Sequence, residues 1–266
     1  MRLATFNLFS GRTLADGSVD PARLTAAIRR LDADVVGLQE VDRAQPRSGG
    51  ADLAAQVADA AGVGPDGWRF EPALLGTPGE QWEPATEMSS TDPALPAYGV
   101  ALVSRLPVRA WHVIRLASAP LRSPVLVPSQ KRPGRPTAVL LPDEPRVGLA
   151  AVVEAPGIGL MTVASTHLSF VPGWNVVQLR RLTQALAALP GPTVLLGDLN
   201  LPGRLPLLGA RGWRSLAPRT RTWPSPAPRV QFDHVLARGE GLPPVTRVED
   251  LQLEISDHRA LVVQLG

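Results

Sequence analysis

The sequence of 266 residues predicts an α/β fold in a single domain. Three observations predict it. Short apolar runs of strand length alternate with helical patterns from one end of the chain to the other. No stretch of linker composition separates two independent cores, and no internal repeat aligns. The composition, 44% hydrophobic and 19% charged, is that of a chain able to bury a sizeable core.

Leu3 to Asn7 alternates apolar and polar residues and reads as a first strand. Asp20-Pro21 pairs an N-cap with a proline at the first helical position. Leu24, Ile28 and Leu31 then give that helix one apolar stripe. Asp34 to Leu38 is a short buried strand that delivers Gln39 and Glu40. A second helix is expected from Asp52 to Ala61, ended by Gly62. Residues 71 to 97 read as a long loop, and Gly99 to Ser104 as a buried strand. Ser118 to Arg146 is Pro- and Arg-rich, interrupted by the apolar Ala138 to Leu141, and is expected to be a long loop, functional or disordered. Strands follow at Gly148 to Val153 and Gly159 to Ser165, then a helix over Trp174 to Leu189 closed by Pro190-Gly191. Thr193 to Leu196, Phe232 to Leu236 and Leu261 to Leu265 supply the last strands.

Several classes of function fall away on composition. No cysteine is present, so disulfides, thiolate metal sites and cysteine nucleophiles are excluded, and a metal must sit on oxygen or nitrogen. No apolar run approaches the roughly 20 residues of a membrane span. The first ten residues do not resemble a secretory signal, which makes the cytoplasm the expected location. The pI near 10.4 invites a nucleic-acid reading, but the formal charge is only +3. The high value arises because Lys131 is the sole lysine and every other cation is arginine.

Polar residues fall repeatedly at the ends of buried apolar strands. Asn7 follows LATF, Glu40 follows VVGLQ, His167 follows TVAST, and Asp198 and Asn200 follow VLLG. Asp233 lies in QFDHVL, and Asp257-His258 stand before ALVVQL. Strand ends are where α/β folds assemble sites, because the sheet fixes positions and the loops leave room. Carboxylate and carboxamide oxygens are hard ligands suited to Mg²⁺ or Mn²⁺. Phosphodiester hydrolysis needs an oriented water, a cation and help for the leaving oxygen. Asp198 and Asn200, two apart on extended chain, are expected to face the same way, with Asp198 orienting the water and Asn200 donating to the phosphoryl oxygens. Either Asp233 or Asp257 could hold His258. Adjacent side chains on a strand diverge, which favours Asp233. His112 and His234 are read as structural.

TFNL, LQEV, YGVALVSRLPV, STHLS, GDLN, FDHVL and SDHRAL occur in an order that resembles the endonuclease/exonuclease/phosphatase superfamily over residues 3 to 265. That superfamily includes deoxyribonuclease I, abasic endonucleases, neutral sphingomyelinases and inositol polyphosphate 5-phosphatases. The resemblance implies a four-layer α/β sandwich of the deoxyribonuclease I type, with two mixed β-sheets face to face and helices outside. It implies Glu40 as the main metal ligand, with Asn7 beside it and Asp257 completing the site. By the same resemblance Asp198 positions or deprotonates the water and Asn200 stabilises the transition state. Asp233 orients His258 against the scissile phosphate, and His167 is a second phosphate contact. Tyr98 falls near a phosphate-binding tyrosine of some members.

Trp174 and Trp223 flank these motifs and could line the mouth of the site; Lys131, Arg132 and Arg135 could clamp a polyanion or lie in a solvated loop. The expected activity is divalent-metal-dependent phosphoester hydrolysis by a monomer, with DNA or RNA as first substrate. A small-molecule or lipid head-group phosphate is the alternative, and a catalytically silent phosphate-binding module is the remote one.

Overall fold

The computed structural model describes residues 1–87, 92–120, 123–128 and 136–266, and between 121 and 141 it describes only the backbone of two strands. One mixed sheet contains β1 (Arg2–Asn7), β2 (Val35–Arg43), β3 (Trp68–Gly76), β4 (Trp82–Pro84), β5 (Ala97–Ser104), β14 (Val245–Leu251) and β15 (Ala260–Leu265). Its order is β14-β15-β1-β2-β5-β3-β4, with only β1 and β2 parallel. The other contains β6 (Val108–Leu116), β9 (Arg146–Ala155), β10 (Gly159–His167), β11 (Thr193–Asp198), β12 (Arg214–Ser215) and β13 (Asp233–Arg238). It runs β12-β13-β11-β10-β9-β6, with β10 and β11 parallel.

The sheets face each other across an apolar core. Leu3, Val35, Leu102 and Val263 from the first meet Leu149, Val163, Val194 and Val235 from the second. Each such side chain removed from water contributes roughly 1.5–3 kcal/mol. The helices α1 (Pro21–Leu31) and α2 (Leu53–Ala61) cover the outer face of the first sheet through Leu24, Ile28, Leu53 and Val57. On the outer face of the second, α3 (Trp174–Leu186) packs through Leu179, Leu182 and Leu186, with the short α4 (Pro206–Gly209) beside it. Four layers result.

Local chemistry explains the helix ends. The Asp20 carboxylate accepts from Ala22 N at 2.8 Å, and Asp52 from Ala55 N at 3.0 Å. Gly62 ends α2 with φ +70°.

Some expectations need correction. Residues 71–97 are not one loop: β3 and β4 pair there, and β3 also pairs with β5, its register against β5 shifting between Pro72 and Leu74. The stretch 118–146 contains the hairpin of β7 (Ser123–Pro128) and β8 (Pro136–Leu141), because its apolar ends pair with each other. The strands β6 and β14 had no clear sequence signal. Both are mostly half-buried or exposed, so neither is a continuous apolar run. Finally, α3 stops at Leu186 rather than Leu189. Lys131, Arg132 and Arg135 lie outside the described residues.

A buried polar seam ties the sheets together near one end. Thr5 Oγ1 donates to Gln39 Oε1 at 3.1 Å, Gln39 Nε2 donates to Ser165 Oγ at 3.1 Å, and Ser165 Oγ donates to Leu38 O at 3.2 Å. Gly37 allows this approach: a Cβ there would sit 3.0 Å from the Leu196 Cβ. The carboxyl ends of β1, β10 and β11 open just above the seam, where polar groups can meet without filling the core.

Candidate active site

The site is assembled where the two sheets end together. Asn7 closes β1 with its backbone held by Ser256, whose Oγ donates to Asn7 O at 2.6 Å. Asn7 Nδ2 donates to Glu40 Oε1 at 3.0 Å and to Asp198 Oδ2 at 3.1 Å, while its Oδ1 accepts from Phe9 N. One amide thus joins carboxylates from opposite sheets.

Glu40 does not simply follow a strand. Within β2 the register against β5 shifts between Leu38 and Val41, and Glu40 takes φ +52°. This bulge turns its carboxylate toward Asn7. A left-handed residue other than glycine costs on the order of 1–3 kcal/mol, which the surrounding structure must supply. Burial pushes the Glu40 carboxyl up to about 7; the Asn7 hydrogen bond and His258 oppose this, while Asp257 and Asp198 add to it.

Asp198 and Asn200 converge by a different route from strand alternation. Strand β11 ends at Asp198, and Asn200 has φ +49°. The turn is held by Asn200 N donating to Asp198 Oδ1 at 3.0 Å. Asn200 Nδ2 donates to Leu168 O at 2.9 Å and meets His167 Nε2 at 3.1 Å. Because the amide is the donor, His167 Nε2 accepts and carries no proton. Burial, Arg146 and His258 hold that imidazole well below its ordinary value, in keeping with a neutral ring. Both Asn200 amide hydrogens are therefore engaged in this conformation.

His258 is the opposite case. Its Nδ1 donates to Asp233 Oδ2 at 2.8 Å, and its Nε2 lies 3.7 Å from Asp198 Oδ2. Burial works to lower its pKa, but Asp233 and Asp198 push it up to about 10. The ring is an imidazolium whose Nε2–H is aimed at the site. Asp233 is fully buried; Thr222 Oγ1 donates to the same Oδ2 at 2.5 Å, and Asp233 Oδ1 has no hydrogen-bond partner among the described residues. Asp198 is raised to about 6, by burial first, with His258 opposing and Asp233 adding.

Asp257 is not the partner of His258 Nδ1, which Asp233 holds. The Asp257 Oδ2 accepts from Trp223 Nε1 at 3.1 Å, which puts Trp223 beside the carboxylate. Trp174 sits differently: its indole donates to Ala117 O at 2.9 Å and Arg181 covers its ring at 5.9 Å. Tyr98 is buried and raised well above its ordinary value by burial, Glu40 and Glu144. Arg47 lies 5.3 Å from its ring centroid. His234 is buried against Leu201 O at 2.8 Å, on the outer face of β13.

Two residues that sequence reasoning missed belong to this cluster. Thr222 holds Asp233, and Arg146 opens β9 close enough to His167, Tyr98 and Glu40 to bear on each. Arg146 is 5% exposed, is paired with Glu144 at 3.5 Å, and leaves its Nε without a partner among the described residues. Arg146 had sequence company only in an Arg-rich stretch, and Thr222 none.

Asp198, Asp233 and His258 offer three ligand atoms within 4.8 Å of one another. Their chemistry does not fit a cation, since His258 is protonated and already bound to Asp233. The set formed by Glu40, Asn7 and Asp257 fits better. It consists of oxygen donors, and the burial that raises Glu40, with the negative charge of Asp257 adding to it, is what a divalent cation would offset.

Comparison with known proteins agrees with this geometry. The sequence profile described as Endonuclease/Exonuclease/phosphatase family matches residues 4–258. A search of curated proteins gives no match. Among solved structures, an endonuclease/exonuclease/phosphatase from Beutenbergia cavernae DSM 12333 is 23% identical with a TM-score of 0.64, over 100% of this chain and 72% of the other. A mannosyl-6-phosphatase from Bacteroides thetaiotaomicron aligns at 13% identity and TM-score 0.62, over 100% and 99% of the two chains. The catalytic domain of human Nocturnin with bound sulfate aligns at 17% and 0.60, over 100% and 94%.

Proposed function

The chain belongs to the Endonuclease/Exonuclease/phosphatase family, whose members hydrolyse phosphate esters, and from that premise we propose that it cuts a phosphodiester, with nucleic acid as substrate, by in-line attack of a water that Asp198 positions. The observation that carries the reading is the pairing of Asp198 with two histidines of opposite charge state. His167 Nε2 stands 3.6 Å and His258 Nε2 3.7 Å from Asp198 Oδ2. We take the whole chain to act as one domain, because both sheets contribute to this cluster.

Glu40, Asn7 and Asp257 would hold Mg²⁺ or Mn²⁺. When bound there, such a cation would supply positive charge to the phosphoryl oxygens and lower the cost of the departing one. The remaining work belongs to the side chains. Asp198 accepts a proton from water on one side of the phosphorus; a carboxyl near 6 is well matched to that task at neutral pH. His258 presents a fixed Nε2–H to a phosphoryl oxygen, its charge kept by Asp233. Asn200 turns one amide hydrogen from His167 to the phosphoryl group as charge develops there, and Arg146 adds a buried positive charge. Trp223 fixes Asp257, and Tyr98 lies near enough to Glu40 to feel its charge.

A phosphate of a small molecule or lipid head group is the second reading, favoured by the alignment over 99% of a mannosyl-6-phosphatase. A substrate panel decides between them. Single- and double-stranded DNA, RNA, bis-p-nitrophenyl phosphate and p-nitrophenyl phosphate are each incubated with Mg²⁺, Mn²⁺ or EDTA. Metal-dependent cleavage of nucleic acid is expected. Cleavage of the small esters alone would discard the nucleic-acid reading and keep the chemistry; no hydrolysis of any ester would point to a silent binding module.

A further inference from the structure

Charge is distributed unevenly along the chain. Residues 171–240 carry nine arginines and only three carboxylates, Asp198, Asp233 and Glu240. The rest of the chain holds 18 cations against 21 acids. A general preference for arginine over lysine cannot produce this, because it does not remove acids from one segment. Two of the three acids are buried in the active site, so the surface made by this segment is strongly positive.

The structure gathers these charges on the outer face of the second sheet. A cavity of about 540 Å³ is lined by Arg180, Arg211 and Arg238. A neighbouring cavity of about 470 Å³ is lined by Arg204, Arg214 and Arg219. Trp213 lines both. No carboxylate among the described residues borders either cavity. Among the described residues Arg180, Arg204, Arg211, Arg219 and Arg238 make no ion pair, and Arg214 reaches only Gly239 O at 3.1 Å. Unpaired arginines brought together repel one another, so the arrangement is most stable with an anion between them.

The direction of the groove is also given by the fold. His234, Leu236 and Arg238 line it in turn along β13, on the face opposite to Asp233, Val235 and Ala237. From Asp233 to Arg238 the strand rises by roughly 17 Å. The near end adjoins Gly203 and Arg204, just past the turn that carries Asp198 and Asn200. Positive charge thus extends away from the catalytic end as a concave track rather than as a single pocket.

We infer that this track holds the phosphate backbone of a single nucleic-acid strand whose scissile phosphate lies at the active site. The inference rests on the nucleic-acid reading above and deepens it. A concave, elongated line of cations suits a flexible polyanion. Leu205 and Leu208 are exposed beside the track, and a lipid surface would use them as well; it would, however, require the cations on a convex face, whereas here they line cavities.

The test is fluorescence anisotropy of a labelled 20-nucleotide oligo(dT) in EDTA, at several salt concentrations. Arg180→Gln/Arg214→Gln/Arg238→Gln is compared with the wild type and with Arg29→Gln/Arg30→Gln/Arg247→Gln, which places the same loss on α1 and on β14 at the edge of the other sheet. The track variant should bind at least roughly tenfold more weakly, with the slope of log K against log salt reduced by about 2. The control should bind as the wild type, and all three should hydrolyse bis-p-nitrophenyl phosphate equally. If the track variant binds and cleaves DNA as the wild type does, the track is not the strand path and the nuclease reading stands. If no protein cleaves DNA but the track variant alone loses oligonucleotide binding, the track stands and the nuclease reading falls. Equal weak binding by all three, with wild-type adsorption to vesicles of anionic phospholipid, would overturn the inference in favour of a membrane.

Discussion

Replacing Asp233 by Asn should convert a pH-insensitive imidazolium into a titrating imidazole. Asp233 is fully buried, accepts from His258 Nδ1 at 2.8 Å, and is the largest of the influences that raise His258 to about 10 against the pull of burial. With the carboxylate replaced by a neutral amide, burial and Asp198 oppose each other and the ring falls back toward its ordinary 6.5. A fall from about 10 to about 6.5 removes ~5 kcal/mol from the charged form and at pH 8 leaves about one ring in thirty charged, a loss of roughly thirtyfold in kcat/KM where that form contacts the phosphate. The assay is metal-dependent hydrolysis of bis-p-nitrophenyl phosphate from pH 5.5 to 9.5. In the wild type the charge on His258 persists to about 10, so its titration sets no limit between pH 7 and 9. In the variant, activity should fall about tenfold per pH unit above roughly 6.5. Calorimetric metal affinity should stay unchanged. A variant within threefold of the wild type at pH 8, with the same profile, would refute the role given to Asp233.

Other predictions follow from the same geometry. Glu40→Gln should abolish metal binding in calorimetry; in the wild type affinity should fall about tenfold per pH unit below about 7, because the proton on Glu40 competes with the cation. Pre-bound affinity that ignores pH would contradict that assignment. Gly197→Ala should destabilise the protein by about 1–3 kcal/mol in urea, since a Cβ there would run into the Thr166 carbonyl of the parallel strand. His234 is lowered to about 4 by burial, so its neutral form contributes stability that is present above 6.5 and lost as the pH falls through 4. That loss amounts to about 3 kcal/mol in urea titrations, and His234→Gln should flatten it.

Much of the site was legible because strand ends are marked twice in sequence, by an apolar run and by the polar residue that follows it. Asn7, His167 and Asp198 each close a strand in this way and Asn200 lies just past one, whereas Glu40 lies inside β2 and His258 just ahead of β15. How those residues face one another was less legible. Glu40 is aimed by a bulge inside β2, which an apolar run does not reveal; Asn200 does reach the side of Asp198, as alternation suggested, but by a left-handed turn after β11 rather than by continuing the strand. Arg146 and Thr222 were missed because their significance depends on strands and loops that come together only in three dimensions. The strands β6 and β14 escaped notice for a related reason. Their half-buried residues follow neither a clean alternation nor a continuous apolar run. The four-layer arrangement itself came from family resemblance rather than from periodicity.

The most direct measurement pairs activity with metal binding in one variant, Asp198→Asn. Hydrolysis of bis-p-nitrophenyl phosphate by the wild type should require Mg²⁺ or Mn²⁺ and stop in EDTA. The variant should lose roughly a thousandfold in rate while calorimetry shows the cation still bound at the Glu40 side of the site. Hydrolysis that survives EDTA, or a variant as active as the wild type, would contradict a metal-assisted attack by a water that Asp198 positions.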